Sequence, residues 1–534
     1  MRQGFIGRVS MASGPRFYPD RLVFRLRTGA AQQIRRGIAM ATGVSKKRGI
    51  APLSDHCGLA LLDQLDQSGL IKRMTCLDAH AESGLAQIAA KGTRGAGVRR
   101  GAGLSRGLRA MAAIDQTLDE GADAAATQPT AMTGMQMLQA TDPQELQRLK
   151  AALGDDPAIE FVSEVPLRWL AAVKRKTPSK PPASRSASSA KVGKRLAPAG
   201  RRQRSGAAAP AAPPLVMWNL QKILWSEARD AGFNAASKIR VGVLDTGVDL
   251  NHPDLPGKAI DYTYDFGAPG ASASDRDIIG HGTHVLGTIG ALAHNDIGIN
   301  GICKCRLSCY KIFSDEPELL EETAEYEIYD YFVDPEMYHL ALAKCVDDKV
   351  RVVNLSIGGF EKPSKAEEML FKNLDDNGIV VVSAMGNENS SQPSYPAAIP
   401  AAIAVGASLP NDARAGFSNK GKHITLLAPG ENIWSTLPTY PGESTRYKNK
   451  QTDKFEIEGR EIEYGCWPGT SMATPHVSAA CALILQANPK LKPAEVKQLL
   501  IDHADKVPAM KGAAFTTSHG HGRLNLLRLA EAVR

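Results

Sequence analysis

Ser471 lies at the start of a run of small and apolar residues, residues 469–476 (GTSMATPH). The glycine predicts a turn, and the residues after it predict a buried helix that begins at the serine. A hydroxyl at a helix N-terminus faces the positive end of the helix dipole and backbone N–H groups without intrahelical partners. Both features stabilise an alkoxide or an oxyanion, so we predict Ser471 to be a nucleophile.

Two upstream residues have the chemistry to activate this serine. Asp245 closes the apolar run 240–244 and so lies at the carboxyl end of a predicted buried strand, where open α/β sheets place their ligands. Its carboxylate can accept a histidine N–H and fix the tautomer of the ring. His281 has a glycine on each side, which lets other backbone approach closely. We interpret His284, on another side of the same turn, as structural.

Asn387 follows the very apolar predicted strand 379–382, in the glycine turn 386–388 (GNE). Its side-chain amide can supply one hydrogen-bond donor to a developing oxyanion. The backbone N–H of Ser471 can supply the other.

In their order along the chain, these segments resemble the subtilisin-like serine peptidases, the subtilase family. The resemblance covers roughly residues 218–530. Its motifs are 243–248 (VLDTGV), 252–255 (HPDL), 281–285 (HGTHV), 354–359 (NLSIGG), 386–388 (GNE) and 469–476 (GTSMATPH). The fold it implies is an α/β fold: a doubly wound, mostly parallel sheet with helices on both faces, preceded by a small α+β propeptide-like domain.

The activity that the resemblance implies is that of a serine endopeptidase working through an acyl-enzyme. Ser471 would attack the scissile carbonyl while His281 accepts its proton and Asp245 orients His281. Asn387 and the Ser471 amide would hold the oxyanion. No catalytic cofactor is implied.

The resemblance also implies substrate-binding residues. An edge strand at Ser356, Ile357 and Gly358 would pair with the substrate main chain, and Ala384 and Gly386 would line the pocket for the residue before the cut. Met385 stands where the family usually has a small residue. We interpret Met385 as packed into the core, because methionine readily fills irregular gaps.

An acidic insertion, residues 314–337, contains no lysine or arginine. The resemblance places it beside the substrate pockets, where negative charge would attract basic peptides. The alternative is a solvated acidic loop and helix face. A basic peptide or protein substrate is therefore one of two interpretations.

A structural calcium ion is the one metal that the resemblance implies. Its ligands would come from the loop 293–299 and from one preceding carboxylate, since hard oxygen donors in a flexible loop suit this ion. The alternative is an ordinary glycine-containing turn. The residues that match the ligand positions are Asp254, Ala293, Asn295, Ile297 and Ile299.

Three regions are expected: an N-terminal region (1–172), a linker (173–214) and a catalytic domain (215–534). In the first, we predict strands at 21–26 and 158–167 and a helix at 143–153, with a flexible loop at 92–109. This α+β pattern is similar to subtilase propeptides, which act as inhibitors and leave their last strand in the substrate cleft. The N-terminal region is thus predicted to inhibit the enzyme.

The linker is basic, rich in Ala, Pro and Ser, and free of acidic residues, so we predict disorder there. We expect cleavage of this linker by the enzyme itself. Nucleic-acid binding is disfavoured, because the segment carries no interleaved aromatic residues. The net charge of the chain, +8, originates largely in this linker.

Composition, with 43% hydrophobic and 22% charged residues, favours a soluble globular enzyme of two or three domains. No stretch reaches the roughly 18 apolar residues of a membrane span, and residues 1–20 lack an apolar signal region. We therefore favour a cytoplasmic location and free cysteine thiols. Two alternatives to a general endopeptidase stay open: a protease for one dedicated precursor, and a non-catalytic subtilase-fold binding protein.

Overall fold

The computed structural model describes residues 17–27, 71–76, 135–140, 142–170, 217–264 and 274–534, with backbone alone for 71–76. The α-helices in these ranges are α1 (Leu146–Gly154), α2 (Trp218–Lys222), α3 (Trp225–Asp230), α4 (His281–Gly290), α5 (Pro335–Asp347), α6 (Lys365–Asp376), α7 (Thr470–Ala487), α8 (Pro493–Asp502) and α9 (Leu526–Ala532). The strands up to residue 330 are β1 (Phe17–Leu26), β2 (Ile71–Cys76), β3 (Met135–Ala140), β4 (Ile159–Pro166), β5 (Trp169–Leu170), β6 (Ala235–Asp245), β7 (Asp261–Thr263), β8 (Lys304–Lys311), β9 (Glu318–Glu322) and β10 (Tyr326–Asp330). The later strands are β11 (Val352–Leu355), β12 (Ile357–Gly358), β13 (Val380–Ala384), β14 (Ala402–Ser408), β15 (Leu426–Pro429), β16 (Ile433–Thr436), β17 (Glu443–Asn449), β18 (Lys454–Gly459) and β19 (Tyr464–Trp467).

A seven-stranded sheet forms the centre of the C-terminal part, in the order β15-β14-β13-β11-β6-β8-β7. Each neighbouring pair in this sheet is parallel. Parallel strands need crossover connections, and α4, α5 and α6 lie in three of the six connections here. The expected doubly wound α/β fold is confirmed.

Both faces of this sheet are apolar, because its strands are covered on both sides. In β11, Val352 faces one hydrophobic core, whereas Val353 and Leu355 face the other. The first core also contains residues of α4, α7, α8 and α9, and the second contains residues of α5 and α6. The helices therefore lie on both faces, and α4 and α7 bring their N-termini to the same side of the sheet as the end of β6.

The N-terminal region forms an antiparallel sheet in the order β2-β3-β1-β4, together with α1. The predicted strands at 21–26 and 158–167 and the helix at 143–153 are confirmed; β2 and β3 were not predicted. Its apolar side chains, among them Val23, Met137 and Val165, share one buried core with α5 and α6. The predicted loop 92–109 and linker 173–214 lie outside the described residues.

The acidic insertion supplies β9, β10 and the beginning of α5 to the fold. Strands β9 and β10 join β17 and β18 in a second antiparallel sheet. Glu322 forms an ion pair with Lys450, and Glu327 lies opposite Lys448 in the strand register. Asp334 caps α5 through the N–H groups at its start. Part of the negative charge is thus matched within the fold, and attraction of basic substrates stays a prediction.

Four of the six cysteines between residues 303 and 481 are buried, and all six are free thiols. This agrees with the expectation of thiols for that part of the chain. Among the described residues, no helix combines the length and the apolar character needed to cross a membrane.

Candidate active site

Asp245 and His281 form a hydrogen-bonded pair in the buried interior. Asp245 is the last residue of β6, and His281 is the first residue of α4. The His281 Nδ1–H donates to Asp245 Oδ1 over 2.7 Å, and the Thr246 N–H donates to the same oxygen over 2.8 Å. This bond assigns the proton to Nδ1, so that Nε2 carries the lone pair of a base. Nε2 has no hydrogen-bond partner among the described residues.

Asp277 holds the start of α4 in place, a role that the sequence analysis missed. Its Oδ1 accepts from Thr246 Oγ1 and Gly280 N, each at 2.8 Å. Its Oδ2 accepts from Thr283 N at 2.9 Å and from Thr283 Oγ1 at 2.6 Å. The carboxylate therefore joins the segment after Asp245 to the turn that carries His281. An acidic residue four positions before a predicted helix start was the available signal.

Close packing around position 282 explains why the residue after His281 is a glycine. A Cβ at this position would lie 2.2 Å from the carbonyl oxygen of Gly247 and 3.2 Å from Asp245 Cβ. The close approach of α4 to the end of β6 places the imidazole within reach of the carboxylate. Any larger residue would force these two segments apart.

Ser471 lies in the first turn of α7, directly after the turn at Gly469. Its hydroxyl donates to the carbonyl oxygen of Ser356 over 2.8 Å, and Ser356 Oγ donates to the Ser471 carbonyl over 2.9 Å. In this structure the Ser471 hydroxyl is therefore not hydrogen-bonded to His281 Nε2. The serine, the histidine and the aspartate are all fully buried.

Asn387 is tied to the same helix N-terminus. Its Oδ1 accepts from Thr470 N at 2.9 Å and from Thr470 Oγ1 at 3.0 Å. These two bonds fix the orientation of the amide, and its Nδ2 end is then the donor end. The structure thus brings Asn387 beside Ser471, as the hypothesis of an oxyanion site requires.

Comparison with known proteins identifies the family of the chain that carries this site. The family model described as "Subtilase family" matches residues 236–522, which contain Asp245, His281, Asn387 and Ser471. The chain belongs to the subtilase family.

Curated relatives support the assignment. This subtilase is 33% identical over 302 residues to subtilisin E of Bacillus subtilis, covering 55% of the chain and 66% of the relative, just under two thirds of its length. It is 32% identical to a subtilisin of Bacillus pumilus, covering 55% of the chain and 92% of the relative. It is 38% identical over 257 residues to the major intracellular serine protease of Bacillus subtilis, covering 46% of the chain and 68% of the relative.

The predicted substrate strand of this subtilase is occupied by its own chain. Ile357 and Gly358 form β12, which pairs antiparallel with Leu170 and Trp169 of β5. Ser356, the residue before β12, contacts Ser471 as described above.

The predicted pocket residues follow the next strand of the central sheet. Ala384 ends β13 and is buried, and Gly386 lies in the turn after it with φ 91°. Met385 is fully buried beside Ala397 and Leu427, so its interpretation as a core residue is confirmed.

The predicted calcium ligand Asp254 is hydrogen-bonded to two other members of the predicted set. Asp254 Oδ1 accepts from Asn295 Nδ2 at 2.7 Å, and its Oδ2 accepts from the Ile299 N–H at 2.8 Å. Ala293 and Ile297 lie in the exposed part of the loop. Calcium binding through the carbonyl oxygens of this loop stays a prediction. Among the described residues, no cluster of three or more His, Cys, Asp or Glu is placed to hold a metal ion.

His476 gives this subtilase a pH-dependent stability. Its Nδ1–H donates to the Met472 carbonyl at 2.9 Å, and Asn219 Nδ2 donates to its Nε2 at 2.9 Å, so the ring is neutral. Burial lowers the pKa of His476 to about 4. Because the unfolded chain binds this proton near pH 6.5, the free energy of unfolding falls as the pH drops from about 6.5 to about 4.

Because of His476, we expect the free energy of unfolding to be about 2 kcal/mol lower at pH 5 than at neutral pH. Urea unfolding of the Ser471→Ala protein at several pH values, with and without His476→Gln, measures this loss without self-digestion. The glutamine variant should lose less stability on acidification. Parallel pH profiles for the two proteins would contradict the assignment.

Proposed function

We propose that this subtilase is a serine endopeptidase made as a precursor that its own N-terminal region inhibits. Ser471 Oγ attacks the scissile carbonyl and passes its proton to His281 Nε2, while Asp245 holds the Nδ1–H and stabilises the imidazolium. The oxyanion accepts hydrogen bonds from Asn387 Nδ2 and the Ser471 N–H. His281 returns the proton to the leaving amine, and water then hydrolyses the acyl-enzyme by the same steps. The 2.7 Å bond between Asp245 and His281 carries this part of the proposal.

The inhibited state is supported by the position of β5. Its register places Leu170 opposite Ile357, one residue from Ser356, whose carbonyl accepts the Ser471 hydroxyl. On its other side the Val333 N–H donates to the Arg168 carbonyl over 3.1 Å. A peptide substrate that pairs with β12 cannot bind while β5 is present. Full burial of Ser471 supports the same conclusion.

The shared core of the two regions supports an inhibitor that holds tightly before processing. Side chains of β1, β3 and β4 pack into one cluster with α5 and α6, and the Tyr18 hydroxyl donates to the Val333 carbonyl. Cleavage of the chain beyond β5 would turn this intramolecular contact into one between two separate molecules. The N-terminal region could then dissociate and be degraded.

Intact mass and probe labelling test the proposal together. Wild-type protein should lose a fragment through cleavage C-terminal to Leu170, in the segment that includes the linker 173–214, and should then react rapidly with a fluorophosphonate. Ser471→Ala protein should stay intact and unlabelled. Fast labelling without any cleavage would overturn the proposal that the enzyme is made as an inhibited precursor. Absence of labelling would favour the alternative of a non-catalytic binding protein.

Peptides and proteins are the substrates of this proposal, and preference for basic ones remains part of it. The name of one relative, an intracellular serine protease, supports a cytoplasmic location.

A further inference from the structure

The guanidinium group of Arg168 lies in the interior of the protein, beside β12, the predicted substrate-binding strand. Only 2% of its side chain is exposed. It directly precedes Trp169, which pairs with Gly358, so it belongs to the segment that occupies the proposed substrate position. Such a charge is costly to bury unless several groups receive it.

Glu367 on α6 is the main partner of Arg168. Its Oε2 accepts from Arg168 Nη2 at 2.8 Å, and its Oε1 lies 3.4 Å from Arg168 Nε, which is the fork geometry of a guanidinium with a carboxylate. The Glu361 carbonyl accepts from Nη1 at 3.0 Å. Only 1% of the Glu367 side chain is exposed. The site therefore offers three acceptors arranged for a planar, multivalent donor.

The Leu167 carbonyl, 3.3 Å from Arg168 Nη1, belongs to the N-terminal region. Glu367 and the Glu361 carbonyl belong to the catalytic part of the chain and remain there when β5 leaves. The Tyr338 hydroxyl donates to Glu367 Oε1 at 3.1 Å and orients the carboxylate. The cavity around the ion pair is lined by Tyr338, Glu367, Val333, Pro335 and His339 from that part, and by Tyr18, Pro166 and Arg168 from the N-terminal region. Departure of the N-terminal region would open a pocket with a carboxylate at its base.

Gly359 gives the arginine its path into this pocket. A Cβ at this residue would lie 2.6 Å from the Leu167 carbonyl oxygen and 2.9 Å from Arg168 Nη1. The wall of the pocket beside the substrate strand is thus open to a long side chain at the position of Arg168. A short side chain there would leave Glu367 without its partner.

We propose that Glu367 makes this subtilase select arginine in its substrates, two residues before the residue that pairs with Ile357. A substrate arginine at that position replaces Arg168 and restores the same hydrogen bonds. Lysine carries one compact charge and cannot satisfy the three acceptors together, so arginine is preferred to lysine. This inference rests on the proposed function, since it concerns the substrates of that activity.

Three fluorogenic peptides test the inference on the self-processed enzyme. One has the sequence of residues 168–171 (RWLA) followed by a coumarin amide, and the others replace its arginine by alanine or by citrulline, the neutral isostere. We expect kcat/KM for the arginine peptide to exceed that for either of the others by about 10- to 100-fold. In Glu367→Gln enzyme this ratio should fall close to one. Because both values in the ratio are measured with the same enzyme, a general loss of activity in a variant does not change the ratio.

Glu368→Gln is the matched control, because Glu368 is the next residue of the same helix, is half exposed and pairs with Lys365. It should keep the wild-type ratio. Equal cleavage of all three peptides by wild-type enzyme, or an unchanged ratio in Glu367→Gln, would overturn the inference and leave the proposed function intact. The citrulline peptide decides the question on wild-type enzyme even if Glu367→Gln fails to fold. Absence of both cleavage and fluorophosphonate labelling would overturn both proposals.

Discussion

Replacement of Ser471 by alanine is expected to lower kcat for peptide hydrolysis by about 10⁶-fold, the scale known from subtilisin for loss of a triad serine. Without the hydroxyl no acyl-enzyme forms, and His281 Nε2 has no proton to accept. Residual cleavage would come from water held near the oxyanion donors. Single-turnover hydrolysis of a peptide amide by protein from which the N-terminal region has been removed by another protease measures the loss.

Ser408→Ala is a suitable control for this experiment. Ser408 is also buried, and its hydroxyl has no hydrogen-bond partner among the described residues. Its loss should leave kcat close to that of wild type. If Ser471→Ala retained more than about a hundredth of wild-type kcat after correction for contaminating proteases, Ser471 would not be the nucleophile.

Replacement of Asn387 by alanine is expected to lower kcat by about 10²–10³-fold with little change in KM, the cost known from subtilisin for loss of the corresponding donor. The amide is needed chiefly when negative charge develops on the carbonyl oxygen, so ground-state binding changes little. Steady-state kinetics of the processed enzyme gives both constants.

A second substitution separates the donor from its support. Asn387→Asp keeps an oxygen that can accept from Thr470 N and Oγ1 but removes the Nδ2 donor. It should therefore lose at least as much kcat as Asn387→Ala, since its negative charge also opposes the oxyanion. The exposed Asn377→Ala serves as control. A rise in KM with unchanged kcat for both variants at position 387 would assign Asn387 to substrate binding instead.

Local sequence patterns were sufficient to predict which residues lie at the candidate active site. The apolar run before Asp245, the glycines around His281 and the glycine-led helix at Ser471 are short-range signals. Each signal identifies a residue with suitable chemistry and places it at the end of a strand or at the start of a helix. Because parallel strands end on the same side of a sheet, those ends could be expected to meet. The observed pair joins Asp245, at the end of such a strand, to His281 at the start of α4.

Other contacts join residues that are far apart in the chain. Local sequence patterns do not predict which of these residues will meet. Asp277 accepts a hydrogen bond from Thr246, 31 positions earlier, and its place before a predicted helix start did not reveal that partner. The joining of β10 with β17 brings together strands separated by more than a hundred residues. Such pairing depends on the global arrangement of the chain rather than on local propensity.

The sequence by itself therefore determined the family pattern, the candidate nucleophile, the candidate base with its orienting carboxylate, and the parallel α/β fold, because short motifs and hydrophobic periodicity encode them. Only the tertiary structure showed that Trp169 and Leu170 are the residues that pair with β12 and that Arg168 pairs with Glu367, 199 positions later in the chain. The physical reason is that burial of a charge depends on which distant groups surround it. The sequence shows an arginine and a glutamate among many, and folding alone makes them partners.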